Sequence, residues 1–453
     1  MASEWRLAKL GDIIKIEHGW PFKSDLYSDD LTGKPIVVSI GNFNYTGGFR
    51  FGSTLSKEYR GEYPAQYDLN PGEILLVMTC QTAGGEILGI PARVPDDGRR
   101  YLHNQRLGKV VIKRPMEVIP DFLYFLFLTP AFNRELVNSA TGTKILHTAP
   151  SRIETFQFRL PPPHEQHAIA HILGTLDDKI ELNRKMNETL EAMARALFQS
   201  WFVDFDPVRA KAAVRREHPR WTDAEVCRAA QPTLAPEIAA LFPDSFENSA
   251  LGDIPKGWRV MGLDEIARFL NGLALQKYPP IDGKSVPVIK IAQLRAGNTI
   301  GADRASANLE PDYLVHDGDI LFSWSGSLEC VFWAGGLGAL NQHLFKVTST
   351  KYPRWLCYLA VHQHLDEFRH IAAGKATTMG HIQRRHLTDA KLAVPPSSLL
   401  EAMTQVIEPT IESTWRRNVE SRTLAALRDT LLPKLISGEL HLKHTEQMVE
   451  EDY

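Results

Sequence analysis

The chain has 453 residues, 43% of them hydrophobic and 23% charged, with a formal net charge of −3. That is the composition of a globular protein long enough for two or more domains. It excludes a globally basic field while leaving room for a local basic surface. The four cysteines, Cys80, Cys227, Cys330 and Cys357, form no CxxC pair, which argues against a zinc ribbon or disulfide framework and for a reducing cytoplasmic setting. No apolar run approaches the roughly 18 residues of a membrane span, and "MASEWRLAKLGDI" lacks the apolar stretch of a signal peptide.

Residues 1–160 read as short strands and turns. "PIVVSI", "EILLVM" and "GKVVI" are β-branched runs bounded by Gly, Pro and Asn. "DFLYFLFLTPAFNREL" then reads as a helix. The expectation is a mixed α/β unit.

Three prolines at 161–163 mark a sharp helix start, because proline is tolerated in the first turn and disfavours helix before itself. Beyond them Ile169, Leu173, Leu176, Ile180, Leu190, Leu197 and Trp201 fall on steps of three and four through a stretch free of proline. The predicted helix occupies 161–205; its 39 residues from 164 to 202 would reach about 58 Å. Asn183 and Asn187 interrupt the apolar stripe at mid-length, where polar seam residues fix register at some cost in stability. His164, His167 and His171 could share one face, but "HEQH" is not the HExxH signature and no further ligand recurs nearby. The alternative reading is an exposed first turn whose Glu165 favours the helix N-terminus.

Residues 206–250 read as a connector. "DPVRAKAAVRREHPR" brings Arg209, Lys211, Arg215, Arg216 and Arg220 together, either against DNA phosphates or, the favoured reading, on a solvated helix.

From residue 251 the chain repeats itself. "GWRVMGLDEIARFLNG" echoes "EWRLAKLGDIIKIEHG", and "VPVIKIAQLR" echoes "KPIVVSIGNFN". "VHDGDILFSWSGSLE" echoes "LNPGEILLVMTCQTAGG", and "LNQHLFKVTS" echoes "HNQRLGKVVI". The order is the same throughout. Trp258 follows Trp5 by 253 residues and Pro395 follows Pro161 by 234, so the second copy has lost loop residues. The expectation is a second α/β unit over 251–394, with a helix at "RWLCYLAVHQHLDEFR". A second long helix should follow over 395–440, with Met403, Ile407, Leu424, Leu427 and Leu431 on its stripe. Pro409 should kink or delay it. The acidic tail, 441–453, should fray. The fold class is therefore α/β: two mixed α/β domains joined to a pair of long helices, expected to pack antiparallel.

Catalytic signatures are absent. There is no GxxxxGK[ST] loop, no GxGxxG and no NPPY-type methyltransferase motif, and "SWSGS" lacks the flanking glycines of a nucleophile elbow.

"LPPPHEQHAIAHILGTLDDKIELNRKMNETLEAMARALFQSWFVDFDPVRAKA" resembles the central region of the specificity subunit of type I restriction–modification systems, "GDIPKGWRVMGLDEIARFLNG" the start of its second half, and "LAALRDTLLPKLISGEL" its C-terminal end. The resemblance covers nearly the whole chain. It implies a non-catalytic DNA-binding subunit with two target recognition domains, each reading half of a split double-stranded target. The helix pair would act as a coiled-coil spacer and dock two methyltransferase subunits, with restriction subunits joining them. S-adenosylmethionine, ATP and Mg would be bound by those partners and none by this chain. A related system whose partner both methylates and cleaves is the neighbouring alternative. A metallohydrolase built on the three histidines, or a coiled-coil scaffold with no DNA role, are the alternatives from other classes.

If DNA is the ligand, bases should be read by Asn, Gln, Arg, Ser and Thr in loops, and phosphates by Lys and Arg. In the first domain the candidates are Lys23, Asn42, Asn44, Tyr45, Arg50, Gln81, Thr82 and Lys144. In the second they are Gln276, Lys277, Gln293, Arg295, Ser325, Ser327, Lys375 and Thr377. Asn104–Gln105 and Asn341–Gln342 recur in both copies, as a structural or phosphate-contacting pair would.

Overall fold

The structure, a computed structural model, describes residues 5–30, 32–51, 55–281, 283–374 and 380–442. It forms two compact units: Met1–Asp178 with Leu424–Tyr453, and Lys179–Thr423. Lys375, Thr377 and most of the acidic tail lie outside the described residues.

In the first unit, Ile14–His18, Leu107–Ile112, Ile74–Val77 and Pro91–Arg93 form an antiparallel sheet in that spatial order. Ile74–Val77 is buried at all four positions, as a strand covered on both faces must be. A second sheet sets Ile36–Val38 parallel to Tyr101–His103, with Asp68–Leu69 antiparallel beyond it. Arg6–Lys9 pairs with Gln157–Leu160 and ties the start of the unit to the strand before Pro161.

The second unit repeats this order. Arg268–Asn271, Leu344–Thr348, Ile320–Ser323 and Cys330–Phe332 form the antiparallel sheet. Ser285–Ile289 runs parallel to Gly338–Leu340, with Leu314–Val315 antiparallel beyond it. Arg259–Gly262 pairs with Lys391–Val394. The sequence repeat is thus a repeat of strand pairings.

Two expected helices need correction, and so does the strand that the echo "VPVIKIAQLR" of "KPIVVSIGNFN" leads one to expect. "DFLYFLFLTPAFNREL" is two helices, Pro120–Phe127 and Pro130–Ser139, because Thr129 caps the second by accepting from the Phe132 amide and Pro130 opens it. "RWLCYLAVHQHLDEFR" likewise divides at His364 into Arg354–Gln363 and Leu365–Ala373. "VPVIKIAQL" is a strand only to Ile289; Ile291–Ala296 is a short helix ended by Gly297 at φ 66°.

The first long helix runs Pro163–Phe198 and closes in a π-helical turn, Gln199–Val203. Its start is pinned by a residue the sequence did not single out. Gln166, fully buried, donates to the Glu117 and Pro161 carbonyls and accepts from the Ile119 amide. The histidines on either side, His164, His167 and His171, are exposed. Among the described residues no group of three His, Cys, Asp or Glu side chains is arranged to hold a metal.

The second long helix runs Ser397–Ser437 through Pro409. The expected break does not occur. Pro409 removes one backbone bond, but it and Gln405, whose carbonyl loses its partner, are both exposed, so water can satisfy that oxygen.

Within the second unit the two helices pack antiparallel. Asn183 donates to Glu420 Oε2 at 2.9 Å and Ser421 Oγ at 3.3 Å, while Asn187 donates to the Thr414 carbonyl at 3.0 Å and Asn418 Oδ1 at 2.8 Å. Partner numbers fall as Asn numbers rise. Met403 and Ile407 are buried in the same core as Ala194 and Phe198, with Leu197 packed on it, and Leu190 is half-buried. In the first unit Ile169 and Leu173 share a core with Leu432, Leu435 and Ile436, with Leu431 against it. Leu176, Ile180 and Leu424 are half-buried. Leu427 departs from the expectation: it is 46% exposed, and Arg428 occupies the seam instead, 9% exposed and bonded to Asp177. The seam here steps 428, 432, 435, which puts Leu427 on the outer side.

The segment 206–250 holds three helices, Asp206–Glu217, Asp223–Ala230 and Pro236–Leu241, and then the strand Phe246–Ser249, which pairs antiparallel with Gly252–Pro255. Its basic residues are largely engaged within the unit. Lys211, 5% exposed, donates to the Ala239 and Phe242 carbonyls, and Arg215 bridges Asp244 and Asp223. Arg209 donates to the Asp204 carbonyl.

Candidate nucleic-acid interface

Each unit holds a short turn between its parallel-paired strand and the neighbouring long strand of the antiparallel sheet. In the first unit the turn is His103-Asn104-Gln105-Arg106-Leu107; in the second it is Leu340-Asn341-Gln342-His343-Leu344. The asparagine makes the turn. Asn104 Oδ1 accepts from the Arg106 amide at 3.0 Å, and Asn341 Oδ1 accepts from the His343 amide at 3.2 Å. The Leu107 amide donates to Asn104 O and the Leu344 amide to Asn341 O, both at 3.0 Å.

A second segment clamps the turn. Trp20 N donates to His103 O and Gln105 N donates to Trp20 O; Leu273 does the same with Leu340 O and Gln342 N. The approach needs glycine. A Cβ on Gly19 would lie 2.3 Å from the Asn104 carbonyl atoms, and one on Gly272 would lie 2.2 Å from Asn341 O. The far side is held too, by Met78 N on Arg106 O and Trp324 N on His343 O. Asn104 and Asn341 recur because they build this turn.

In the first unit the turn borders a cleft of about 540 Å³. Four predicted residues line it, Tyr45, Arg50, Gln81 and Thr82, together with Asn104, Gln105 and Arg106. Its described lining holds two arginines and no carboxylate, a setting that favours an anionic ligand. Tyr45 is 53% exposed. Arg50 donates through Nε to the Gly41 carbonyl, which aims its guanidinium.

The other candidates of this unit are placed elsewhere. Asn42 is fully buried; its amide is spent on the Ser39 amide, the Ser39 hydroxyl and the Leu55 carbonyl. It shapes the loop from within, because a buried amide must find partners. Asn44 bonds the Phe49 carbonyl across its own hairpin. Lys23 and Lys144 are exposed but do not line the cleft.

In the second unit Gln276 and Lys277 are exposed on the turn Leu275–Lys277. Gln293 and Arg295 lie on the short helix Ile291–Ala296, not in a loop, and Gln293 accepts from the Lys290 amide as part of its cap. Ser327 is exposed. Ser325 is 2% exposed and its hydroxyl is bonded to His343 Nδ1 at 3.0 Å. Trp324 joins this cluster: its indole N–H donates to Asn271 Oδ1 at 2.9 Å, and its ring lies 5.7 Å from that of His343. Arg106, Trp324 and His343 were not singled out from the sequence, although the paired "HNQRL" and "LNQHL" marked the place.

Burial sets the protonation of a histidine in each unit. His103, bonded to the Leu107 carbonyl, is pushed down to about 4, and so is His362, bonded to the Cys330 carbonyl. Both are neutral supports of the scaffold.

The duplicated α/β scaffold holds the same clamped turn beside polar side chains in each unit, which gives the chain two equivalent candidate binding surfaces. The type I restriction modification DNA specificity domain family matches residues 2–192 and 255–420, and the chain belongs to that family. The HindI type I restriction enzyme specificity subunit of Haemophilus influenzae is 26% identical over 409 residues, covering 79% of this chain and 86% of that one. The MjaIX specificity subunit of Methanocaldococcus jannaschii is 25% identical over 343 residues, covering 72% and 70%. The fold is similar to that of a type I restriction–modification S subunit from M. genitalium, at a TM-score of 0.51 and 15% identity, covering 97% of each chain. The protein is thus a DNA-recognition subunit, not a catalytic one, and works with DNA and the other subunits of a type I restriction–modification system.

Proposed function

We propose that the chain reads a split double-stranded DNA target, each recognition domain taking one half. The carrying observation is that the two units repeat the same strand order and the same Asn–Gln turn, yet differ in the side chains around it. One scaffold with two sets of reading residues suits a target with two unlike halves.

The long helices act as the spacer that sets the gap between halves, and as the dock for two methyltransferase subunits. Leu182, Met186 and Met193, exposed on the first long helix, favour such a docking face. Restriction subunits join that complex. S-adenosylmethionine, ATP and Mg are bound on the partner subunits, and the assembly works in the cytoplasm. No helix among the described residues is long and apolar enough to cross a membrane.

The test is to map methylated adenines across the source genome with and without this gene. Loss of one split motif on deletion supports the reading and reports both half-sites and the gap. An unchanged methylation map, with the locus expressed, counts against it. Co-purification then separates a methyltransferase with distinct restriction subunits from the alternative, a single partner that both methylates and cleaves.

A further inference from the structure

Resting on the split-target reading, the clamped turns point to two further residues. We propose that Arg106 and His343, the equivalent third residues of the Asn-Gln-x turns, contact bases and set which base each half-site requires at one corresponding position.

The backbone around both residues is fixed in the same way. The amide is held by the turn asparagine, and the carbonyl by Met78 N or Trp324 N. The preceding residue is clamped through Trp20 O or Leu273 O. A side chain on such a support loses little further backbone entropy on binding. At this third position the backbone is held alike in both copies, and what differs there is the side chain. Phosphate contacts need not differ between domains that read unlike sequences; base contacts must.

The chemistry at each position fits that role. Arg106 lines the cleft, and its guanidinium makes no hydrogen bond or ion pair among the described residues. A free planar fork of donors matches O6 and N7 of guanine in the major groove. His343 is half-buried and held on both ring nitrogens, by the Ser325 hydroxyl at 3.0 Å and the Gln342 amide at 3.4 Å. With both nitrogens engaged, it offers the carbon edge and face of its ring for apolar contact with a base, in one orientation, where the first domain offers a long fork of donors. The two half-sites therefore differ here.

The experiment uses the full chain in complex with the methyltransferase subunit of its own locus. Arg106→His, Arg106→Gln and His343→Arg are each tested by sequencing-based methylation of a library randomised over the target. Each Arg106 variant is expected to lower the preference for guanine at one position of one half-site at least tenfold. His343→Arg is expected to shift the preference at one position of the other half. The gap and the remaining bases stay as in wild type, and co-elution with the methyltransferase shows that each variant has folded. Wild-type base preferences in all three variants overturn the inference while leaving the split-target reading intact. Methylation that falls equally on every sequence also overturns it, since that is the signature of a phosphate contact. A wild-type complex that methylates no split motif overturns the underlying reading, and the inference with it.

Discussion

The Arg428 guanidinium meets the Asp177 carboxylate at 2.6 Å within the first unit, at a seam position where the apolar pattern leads one to expect leucine. Burial raises the Asp177 carboxyl from its usual range, and Asp178 and Asp429 add to that, while Arg428 opposes it. Removing one partner strands the other. Arg428→Ala is expected to destabilise the first unit by about 3 kcal/mol, and Arg428→Met with Asp177→Leu to recover most of the loss. Thermal melting of wild type and these two variants checks this; a double variant no more stable than Arg428→Ala would refute it.

Asn183 and Asn187 give the complementary case. Each leaves its side-chain oxygen buried without a partner, so each weakens the packing it directs. Replacing both with leucine should raise the melting temperature by a few degrees. A lower melting temperature would mean that the bonds to Glu420, Ser421, Thr414 and Asn418 contribute more than the orphaned oxygens cost.

Gly19 and Gly272 test the clamp. Neither has a left-handed backbone, so any cost of Gly→Ala is steric. A Cβ pressed against the Asn104 or Asn341 carbonyl is expected to cost roughly 1–3 kcal/mol and to displace the turn. The measurement is melting together with the methylated motif of the complex. Gly19→Ala should disturb one half-site and Gly272→Ala the other. Wild-type stability in both would show that the clamp yields easily.

His103 and His362 predict acid sensitivity. With folded-state values near 4 and an unfolded value of about 6.5, the unfolded chain takes up protons over this window that the folded chain refuses. Stability is fully present above about pH 6.5 and falls as pH drops toward 4. The fall is about 1.4 kcal/mol per pH unit for each histidine, or about 2 kcal/mol each at pH 5. His103→Gln with His362→Gln should flatten the drop in melting temperature between pH 7 and pH 5. An unchanged slope would assign the acid sensitivity to other groups.

Local chemistry made much of the molecule legible without coordinates. Pro161–Pro163 announced a helix start, and the four echoed segments with the repeated proline junction announced a duplicated α/β fold. The spacing of Ile169, Leu173, Met403 and Ile407 announced buried helix faces. Such signals survive because proline geometry and side-chain periodicity act within a few residues. The single-helix reading of "DFLYFLFLTPAFNREL" misses the local cue of Thr129 and Pro130, and the other failures came where tertiary neighbours or exposure decide. Leu427 and Arg428 exchange roles because Asp177, far away in sequence, faces Arg428. Pro409 is tolerated because the carbonyl it strands lies on the exposed side. Asn42 and Arg50 look alike as polar loop residues, yet one is sealed by Ser39 and Leu55 and the other lines the cleft. The sequence by itself determined the repeat, the two long helices and the recognition class. Tertiary structure alone decided which polar side chains are spent on the scaffold and which remain for a ligand, because a hydrogen-bonding group is available only when no neighbour brought close by the fold has already claimed it.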